Sequence, residues 1–346
     1  MVYLRQILTK KRGGKTMSSG IIKLNASIIS CANAVGQKEY EGPMGKLFDF
    51  HSNDDRFNMD TWESAEGEMQ SIALNIALKR GGLQNADVGA VFAGDLLNQC
   101  VGSAYGLLGC NIPYFGLYGA CSTCAEGIML ASVMTTHGVF ERCAAVTSSH
   151  NCSAERQYRM PIEYGGQRTP TSQWTVTGAG AFIVGNKDAG KVKISAAMPG
   201  RVIDKGINDA NNMGAAMVGA VCDTLVRYFN ESGTLPDDYD LIITGDLGHE
   251  GGQLLREFMD IEGYPLSDNY TDGGIIIYDK QRQDTHAGGS GCGCSAAVMS
   301  AYVLPAMRKG IIDNAIFVGS GAMMSPDMIK QGKSIPAIGH LVCFER

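Results

Sequence analysis

The sequence of 346 residues is 45% hydrophobic and 18% charged, which predicts a globular chain with a large buried core. Its net charge is −6, and residues 1–16 contain five basic residues and no acid, so the rest of the chain is more acidic still. This charge argues against nucleic acid as a partner and against direct docking on anionic lipid. No apolar stretch reaches the ~18 residues that a membrane span needs. We expect a soluble protein of a reducing compartment whose 11 cysteines are thiols.

The basic N-terminal segment, residues 1–19, lacks the apolar core of a signal peptide. We expect a disordered tail there, or a leader that precedes a true start at Met17.

The chain after residue 20 contains an internal repeat. Three kinds of segment occur twice in the same order: a strand that opens each half, a buried strand after a helix-period segment, and a helix end with a capping glycine before an apolar strand. The pairs are 20–27 with 190–197, 91–96 with 242–247, and 138–146 with 310–318. Strands that alternate with helices predict parallel or mixed sheets covered on both faces. We therefore predict an α/β fold of two duplicated halves, 20–185 and 190–346, packed about a pseudo-dyad.

The stretch GACSTC, residues 119–124, lies between an extended aromatic segment and a helical one. Glycine permits a tight turn there, and Cys121 falls at the N-terminus of the helix. The helix dipole and the free N–H groups favour a thiolate and should lower the pKa of Cys121. The same groups can bind a carboxylate or stabilise an oxyanion. Both a covalent nucleophile and an anion-binding site are open at this point.

A second turn of the same kind, GGSGCGCSAAV, carries Cys292 and Cys294. The offset of the third segment pair places Cys121 opposite Gly293. The cysteine pairs of the two turns suggest a metal or redox site, but a C-x-C spacing departs from the usual zinc knuckle. We therefore expect no metal and no other cofactor.

Two duplicated halves with a cysteine at the first helix resemble the thiolase superfamily, which includes thiolases and ketoacyl synthases. Further strings, spread over residues 20–346, are similar to the stage V sporulation protein AD family of endospore-forming bacteria. They are AGDLLNQ, GACST, TSSHN-SAERQYR-P-EYGGQ, GRVID-GI-D, GSGC-CSA and IP-I-H-V-FER.

The resemblance implies a thiolase-like fold, a layered αβαβα sandwich, usually seen as a homodimer. It also implies binding of dipicolinic acid (pyridine-2,6-dicarboxylate), or its calcium chelate, for uptake into the developing spore by a membrane complex. The expected partners are then that small dianion, with or without calcium, and other membrane proteins of the complex. We expect the chain to be peripheral at the spore inner membrane through those partners.

The resemblance also shows what condensing chemistry would lack. Type III ketoacyl synthases place a His-Gln-Ala-Asn string after the strand that here reads DLIITGDLG, and their histidine would fall at about Gly245. Their catalytic asparagine would fall near Cys292. Claisen condensation needs a donor that stabilises an enolate, so carbon–carbon bond formation by Cys121 alone is unsupported, while acylation stays conceivable. His249 and His286 lie nearby in sequence and are possible substitutes as a base.

A site for a flat dianion should combine helix N-termini, cationic or N–H donors and an apolar slot. We look for the donors after the strand that follows the Cys121 helix, because ligand sites in open α/β sheets lie at the carboxyl ends of strands. For each arginine, a surface or interface ion pair is the alternative. We expect Asp95 and Asp246, matched in the repeat, to cap or brace the two halves rather than to touch an anionic ligand. The candidate ligand-binding residues are Cys121, Ser122, His150, Asn151, Arg156, Arg159, Cys292 and His340.

Three functional hypotheses follow from the sequence. The leading one is a non-catalytic binding protein for dipicolinate. The second is an acyl-transferring enzyme with Cys121 as the acyl acceptor, and the third is a metal or thiol-redox protein.

Overall fold

The computed structural model describes residues 20–158 and 168–346. The N-terminal segment 1–19 and the candidate Arg159 lie outside these ranges, so our predictions for them stay predictions. The strands, in chain order, are β1 (Ile22–Val35), β2 (Ala90–Gly94), β3 (Tyr114–Gly116), β4 (Arg142–Ser149), β5 (Trp174–Thr175), β6 (Gly178–Asn186), β7 (Val192–Met198), β8 (Leu241–Thr244), β9 (Tyr270–Asp272), β10 (Gly289–Ser290), β11 (Asn314–Ala322) and β12 (Ala337–Glu345).

The α-helices range from single turns to 20 residues. They are α1 (Gln37–Tyr40), α2 (Trp62–Gly81), α3 (Val101–Gly106), α4 (Thr123–Thr136), α5 (Asn151–Tyr158), α6 (Met213–Ser232), α7 (Gly248–Ile261), α8 (Gly273–Ile276), α9 (Cys292–Val298), α10 (Leu304–Arg308) and α11 (Pro326–Lys330).

Ten strands form one sheet in the order β3-β2-β4-β6-β1-β7-β12-β11-β8-β9. Antiparallel pairing of β1 with β7 lies at its centre. Counted outward from that pair, each side has two antiparallel pairings followed by two parallel ones. The strands that the sequence repeat matches, β1 with β7, β2 with β8 and β4 with β11, occupy equivalent positions on the two sides. This order confirms the predicted α/β class.

Helices α4 and α9 lie between the two sides of the sheet. Helix α4 contacts β1, β2, β4 and β6 on one side and β11 and β12 on the other, and α9 packs against β4 and β6. Helix α2 covers the outer face of the first side, and α6 covers β11 and β12 with α7 packed on it. Three separate apolar cores fill the spaces between these layers. The chain therefore has the αβαβα layering that we expected.

The two long outer helices begin and end with the same devices. Thr61 and Asn212 accept a hydrogen bond from the backbone N–H three residues later, which caps the start of each helix. Gly82 and Gly233 adopt the left-handed conformation that ends each helix. After each of these helices the chain returns to the sheet, as β2 on one side and as β8 on the other, at equivalent places.

The two outermost strands of the sheet differ in how well they are covered. All three residues of β3 are exposed, including Tyr114 and Phe115. At the other edge, Tyr270 and Asp272 of β9 are buried. Across residues 20–158 and 168–346, no helix has the length and hydrophobicity required to cross a bilayer.

Candidate functional site

The first elbow is the turn at Gly119–Ser122 that leads from β3 into α4. Ala120 has a φ of +50°, in the left-handed region. The Ser122 hydroxyl donates to the Gly119 carbonyl at 2.6 Å, and the Thr123 hydroxyl donates to the Ala120 carbonyl at 2.7 Å. The small hydroxyl residues of GACST therefore stabilise the turn, and the hydroxyl hydrogen of the candidate Ser122 is donated to the backbone.

A cavity of about 40 Å³ opens at Cys121. Its apolar wall includes Leu96, Met213 and Met324. Its polar wall consists of Tyr118, Cys121, Glu155, Tyr158, Thr175 and Ser290. The cavity is thus built from both halves of the chain, with two phenol rings and two flexible thioethers around the elbow.

The environment of Cys121 contradicts our expectation of a thiolate. Its side chain is buried, and the thiol hydrogen-bonds to the Asp246 carboxylate. Burial, followed by the negative charge of Asp246, raises the pKa of Cys121 well above its ordinary value. The N–H groups at the helix start are too weak to reverse this, so the group is a neutral thiol at physiological pH.

Asp246 follows β8 and joins the two elbows. Its Oδ2 accepts the Gly291 N–H at 2.7 Å and the Ser290 hydroxyl at 3.3 Å, and its Oδ1 accepts the Ser320 hydroxyl at 2.7 Å. With Cys121 on the same carboxylate, one buried acid connects both elbows and β11. This geometry is the bracing role that we expected for Asp246.

The second elbow begins at Gly291, whose φ of +103° only glycine adopts readily. Cys292 is fully buried, and its thiol donates to the Ser148 carbonyl at 2.9 Å. Gly293 packs against Ser149 at the end of β4, as Ser122 packs against Gly321 near the end of β11. The structure therefore places Cys121 opposite Cys292, and the predicted opposition of Cys121 and Gly293 was wrong by one residue.

Cys121 and Cys292 share one small apolar cluster with Leu96 and Ala154, against which Tyr158 packs. Only Cys121 of the two thiols reaches the cavity wall.

Gly245, the position at which the resemblance places the synthase histidine, packs closely against two serines. A Cβ on Gly245 would lie 2.5 Å from the Ser295 hydroxyl and 3.4 Å from the Ser320 hydroxyl. A larger residue at position 245 would therefore require the Ser295 side chain to move. His249 donates its backbone N–H to Ala287, and His286 bonds to Thr169 and Asp284, so neither sequence neighbour lies in the cavity wall.

His150 and Asn151 lie at the carboxyl end of β4, as predicted, but their contacts point elsewhere. The Nε2 of His150 lies 2.6 Å from the Asp55 carbonyl, and its Nδ1 accepts the Cys152 N–H at 3.2 Å. Burial lowers the pKa of His150. The Asn151 backbone N–H donates to Thr177. Neither residue lines the Cys121 cavity.

Arg156 and His340 also lie outside the cavity wall. Arg156 forms an ion pair with Glu63 and lies over the Trp62 ring, which is the surface arrangement that we considered as its alternative. His340 is in β12, its Nδ1 accepts the Gly200 N–H at 3.2 Å, and burial lowers its pKa to about 4. Of the candidates, the structure thus brings Cys121 and Cys292 into one cluster, and Ser122 lies next to Cys121 in the first elbow. Ligand binding by all eight candidates stays a prediction.

Five polar residues of the cavity wall were missed by the sequence reasoning: Tyr118, Glu155, Tyr158, Thr175 and Ser290. Tyr118 ends the aromatic run directly before GACSTC, and Glu155 and Tyr158 lie in the same SAERQYR string as Arg156. Both strings were recognised in the sequence, but a sequence pattern does not show which of their side chains face the cavity. In the described part of the chain, no cluster of three His, Cys, Asp or Glu side chains is arranged to hold a metal ion.

Solved structures with a similar architecture include a 3-oxoacyl-[acyl-carrier-protein] synthase III and OleA. The 3-oxoacyl-[acyl-carrier-protein] synthase III of Aquifex aeolicus VF5 is 11% identical, with 93% of this chain and all of that chain covered and a TM-score of 0.56. Cerulenin-bound OleA of Xanthomonas campestris is 12% identical over 95% and 99% of the two chains, with a TM-score of 0.61. At such identities the likeness establishes the fold alone, and that fold is thiolase-like.

Sequence comparison is more specific. Stage V sporulation protein AD of Bacillus subtilis (strain 168) is 41% identical over 317 residues, which cover 92% of this chain and 93% of that protein. The family model of Stage V sporulation protein AD (SpoVAD) matches residues 16–345. The chain therefore belongs to the stage V sporulation protein AD family.

Proposed function

We propose that this chain is a non-catalytic protein that binds dipicolinic acid, or its calcium chelate, in the Cys121 cavity. In this role it takes part in uptake of the ligand into the developing spore with a membrane transport complex. The observation that carries the proposal is the cavity at the Cys121 elbow, in a chain that has Gly245, packed against Ser295 and Ser320, where the resemblance places the synthase histidine. The chain thus has the cavity, but at Gly245 it lacks a histidine that could stabilise an enolate.

The lining of the cavity suits an aromatic ligand. The rings of Tyr118 and Tyr158 provide apolar faces, and their hydroxyls lie 2.7 Å apart. A volume of 40 Å³ holds about three waters, so a pyridine dicarboxylate requires side chains to move. Met213 and Met324 are suited to this because an unbranched thioether repacks at low cost.

Calorimetric titration of the full chain with dipicolinate tests the proposal. We expect saturable heat with dipicolinate and none with phthalate, which lacks the ring nitrogen and the 2,6 geometry. Tyr158→Phe should weaken binding, whereas Tyr302→Phe, at an exposed tyrosine outside the cavity wall, should not. Absence of heat with millimolar dipicolinate, with and without calcium, refutes the proposal.

Acyl transfer is the second candidate function, because the Cys121 thiol lies in the wall of a cavity at the start of a helix. The raised pKa of that thiol works against it, since the thiolate is the nucleophile. Incubation with acyl-CoA or acyl carrier protein followed by intact-mass measurement separates the two. A thioester that disappears in Cys121→Ser establishes acyl transfer, and an unchanged mass after long incubation rejects it.

The proposal also includes a peripheral position at the spore inner membrane, held by partner proteins, and a homodimer. For the dimer, the exposed edge of β3 offers a row of backbone groups and the apolar side chains of Tyr114 and Phe115. Two copies paired through this edge form a self-complementary interface. We expect Tyr114→Lys to give a monomer in sedimentation experiments and Ile311→Lys, at another exposed position, to stay dimeric. A wild-type monomer at micromolar concentration contradicts this part of the proposal.

A further inference from the structure

Two residues both line the Cys121 cavity and hydrogen-bond to the buried Asp246. The Ser290 hydroxyl donates to Oδ2 at 3.3 Å, and the Cys121 thiol hydrogen-bonds to the same carboxylate. While Asp246 is ionised it can only accept, so both hydrogens point away from the cavity. The oxygen of Ser290 and the sulfur of Cys121 then present lone pairs to a ligand.

The other hydroxyl groups of the wall also donate their hydrogens to protein atoms. The Tyr158 hydroxyl donates to the Leu96 carbonyl, so the bond between the two phenols uses the hydrogen of Tyr118. The Thr175 hydroxyl donates to Glu155 at 3.4 Å. Among the described residues of the wall there is no lysine, arginine or histidine. A dicarboxylate that enters this state of the cavity meets acceptors, which disfavour it.

We propose that Asp246 determines whether the cavity accepts or donates hydrogen bonds, and that the dicarboxylate binds together with one proton taken up by Asp246. The inference rests on the proposed function. When Oδ2 carries the proton it becomes a donor, for which the Ser290 oxygen and the Cys121 sulfur are the neighbouring acceptors. The Ser290 hydroxyl and the Cys121 thiol then turn their own hydrogens to the ligand carboxylate. The proton comes from the solvent on binding and returns there on release. Asp246 is a positioning residue in this scheme, since it acts through Ser290 and Cys121.

The surroundings of Asp246 favour its protonation. Burial raises its pKa, while hydrogen bonds from Cys121, Gly291, Ser320 and Ser290 oppose that rise. The other ionisable groups that face it are also acids. They are Cys121 from the first elbow, Cys294 from α9 and Asp272 from the end of β9. The main influences on its pKa are burial and these hydrogen bonds, and an added dianion raises that pKa further.

Calorimetry in two buffers tests the inference on the full chain. Titrations with dipicolinate in phosphate and in Tris at one pH yield different heats if a proton is taken from the buffer. We expect about one proton per ligand and a Kd that rises about tenfold per pH unit above the pKa of Asp246. Heat that is independent of the buffer overturns the inference and leaves the proposed function standing. No binding in any buffer between pH 5 and 8 overturns both.

Variants assign the proton. Asp246→Asn is neutral at every pH and should bind dipicolinate with no buffer dependence and a flat pH profile. Asp95→Asn is the matched control, because Asp95 is the counterpart of Asp246 in the repeat. Asp95 accepts hydrogen bonds from Leu97 and Ser103, and neither of these residues lines the cavity. It should keep the proton uptake. If Asp246→Asn does not fold, Ser290→Ala decides: we expect weaker binding with one proton still taken up, and unchanged affinity contradicts the scheme.

Discussion

The two elbows share a backbone plan and differ in what the cysteine can reach. At the first elbow, Cys121 lines a cavity and touches the acid Asp246 from the other half of the chain. At the second, Cys292 is enclosed and its thiol is bonded to the Ser148 carbonyl. The two halves therefore have equivalent turns, and of their two cysteines only Cys121 lines the cavity.

Each elbow rests on buried acids, which extends the comparison. Asp246 lies under the first elbow, and the Ser148 hydroxyl under the second donates to Glu66 at 3.0 Å. Desolvation, then the neighbouring Asp95, raises the pKa of Glu66 to about 8. The second elbow thus rests on a protonated acid, whereas the acid of the first elbow adjoins the Cys121 cavity.

Gly293→Ala should break the second elbow and has the largest expected effect. A Cβ there would lie 2.3 Å from the Gly178 carbonyl oxygen and 2.6 Å from the Ser149 nitrogen, both backbone atoms that cannot move aside cheaply. We expect a loss of more than about 3 kcal/mol in the free energy of unfolding, measured by chemical denaturation. Gly109→Ala, where an added Cβ meets nothing within 4 Å, is the control and should change stability by less than about 0.5 kcal/mol. Equal stabilities of the two variants contradict the packing argument.

Glu66→Gln should change the pH dependence of stability. The folded pKa of Glu66, about 8, exceeds its unfolded value, so the fold holds a proton that the unfolded chain releases. Its contribution is complete below about pH 4.5 and is lost as pH rises through 8. We expect wild type to lose roughly 2–3 kcal/mol more than Glu66→Gln between pH 6 and 8.5. Glu68→Gln, on the same helix and partly exposed, should follow wild type, and parallel profiles for all three chains reject the assignment.

Truncation of each cysteine distinguishes the enclosed second elbow from the first elbow, which adjoins the cavity. Cys292→Ala leaves a void in closed packing and should cost about 1–2 kcal/mol in unfolding free energy. Cys121→Ala only enlarges an existing cavity and should cost about 0.5 kcal/mol. Dipicolinate affinity should show the opposite order, with the larger loss in Cys121→Ala. Denaturation and calorimetry on the same two variants check both orders, and a larger binding loss in Cys292→Ala sinks the distinction.

The sequence carried the fold well because its repeat is local and periodic. The strands of 91–96 and 242–247, each after a helix with glycine at its end, predicted equivalent places in the sheet, and β2 and β8 occupy them. The turn at Cys121 was predicted for the same reason. Its start and its helix are set by neighbouring residues.

The site was less predictable because its chemistry comes from distant residues. The pKa of Cys121 depends on Asp246, which lies more than a hundred residues away in sequence and reaches the thiol only through the packing of the two halves. His150 follows β4 as expected, but the direction of its side chain toward Asp55 depends on where the pleat of the strand ends. Local pattern predicts where a residue lies along the sheet and leaves open which group it faces.

The smallest expected effect concerns the backbone of the first elbow. Ala120 holds a φ of +50°, which costs an alanine about 1–2 kcal/mol relative to its usual conformations. Ala120→Gly removes that cost but loses more entropy on folding, about 0.5–1 kcal/mol. We expect a net gain of roughly 0.5 kcal/mol, seen as a slightly higher denaturation midpoint. Ala189→Gly, at an exposed alanine outside the left-handed region, should instead lose stability by a similar amount. If both variants lose stability equally, the first elbow is not strained, and its cysteine is held by packing alone.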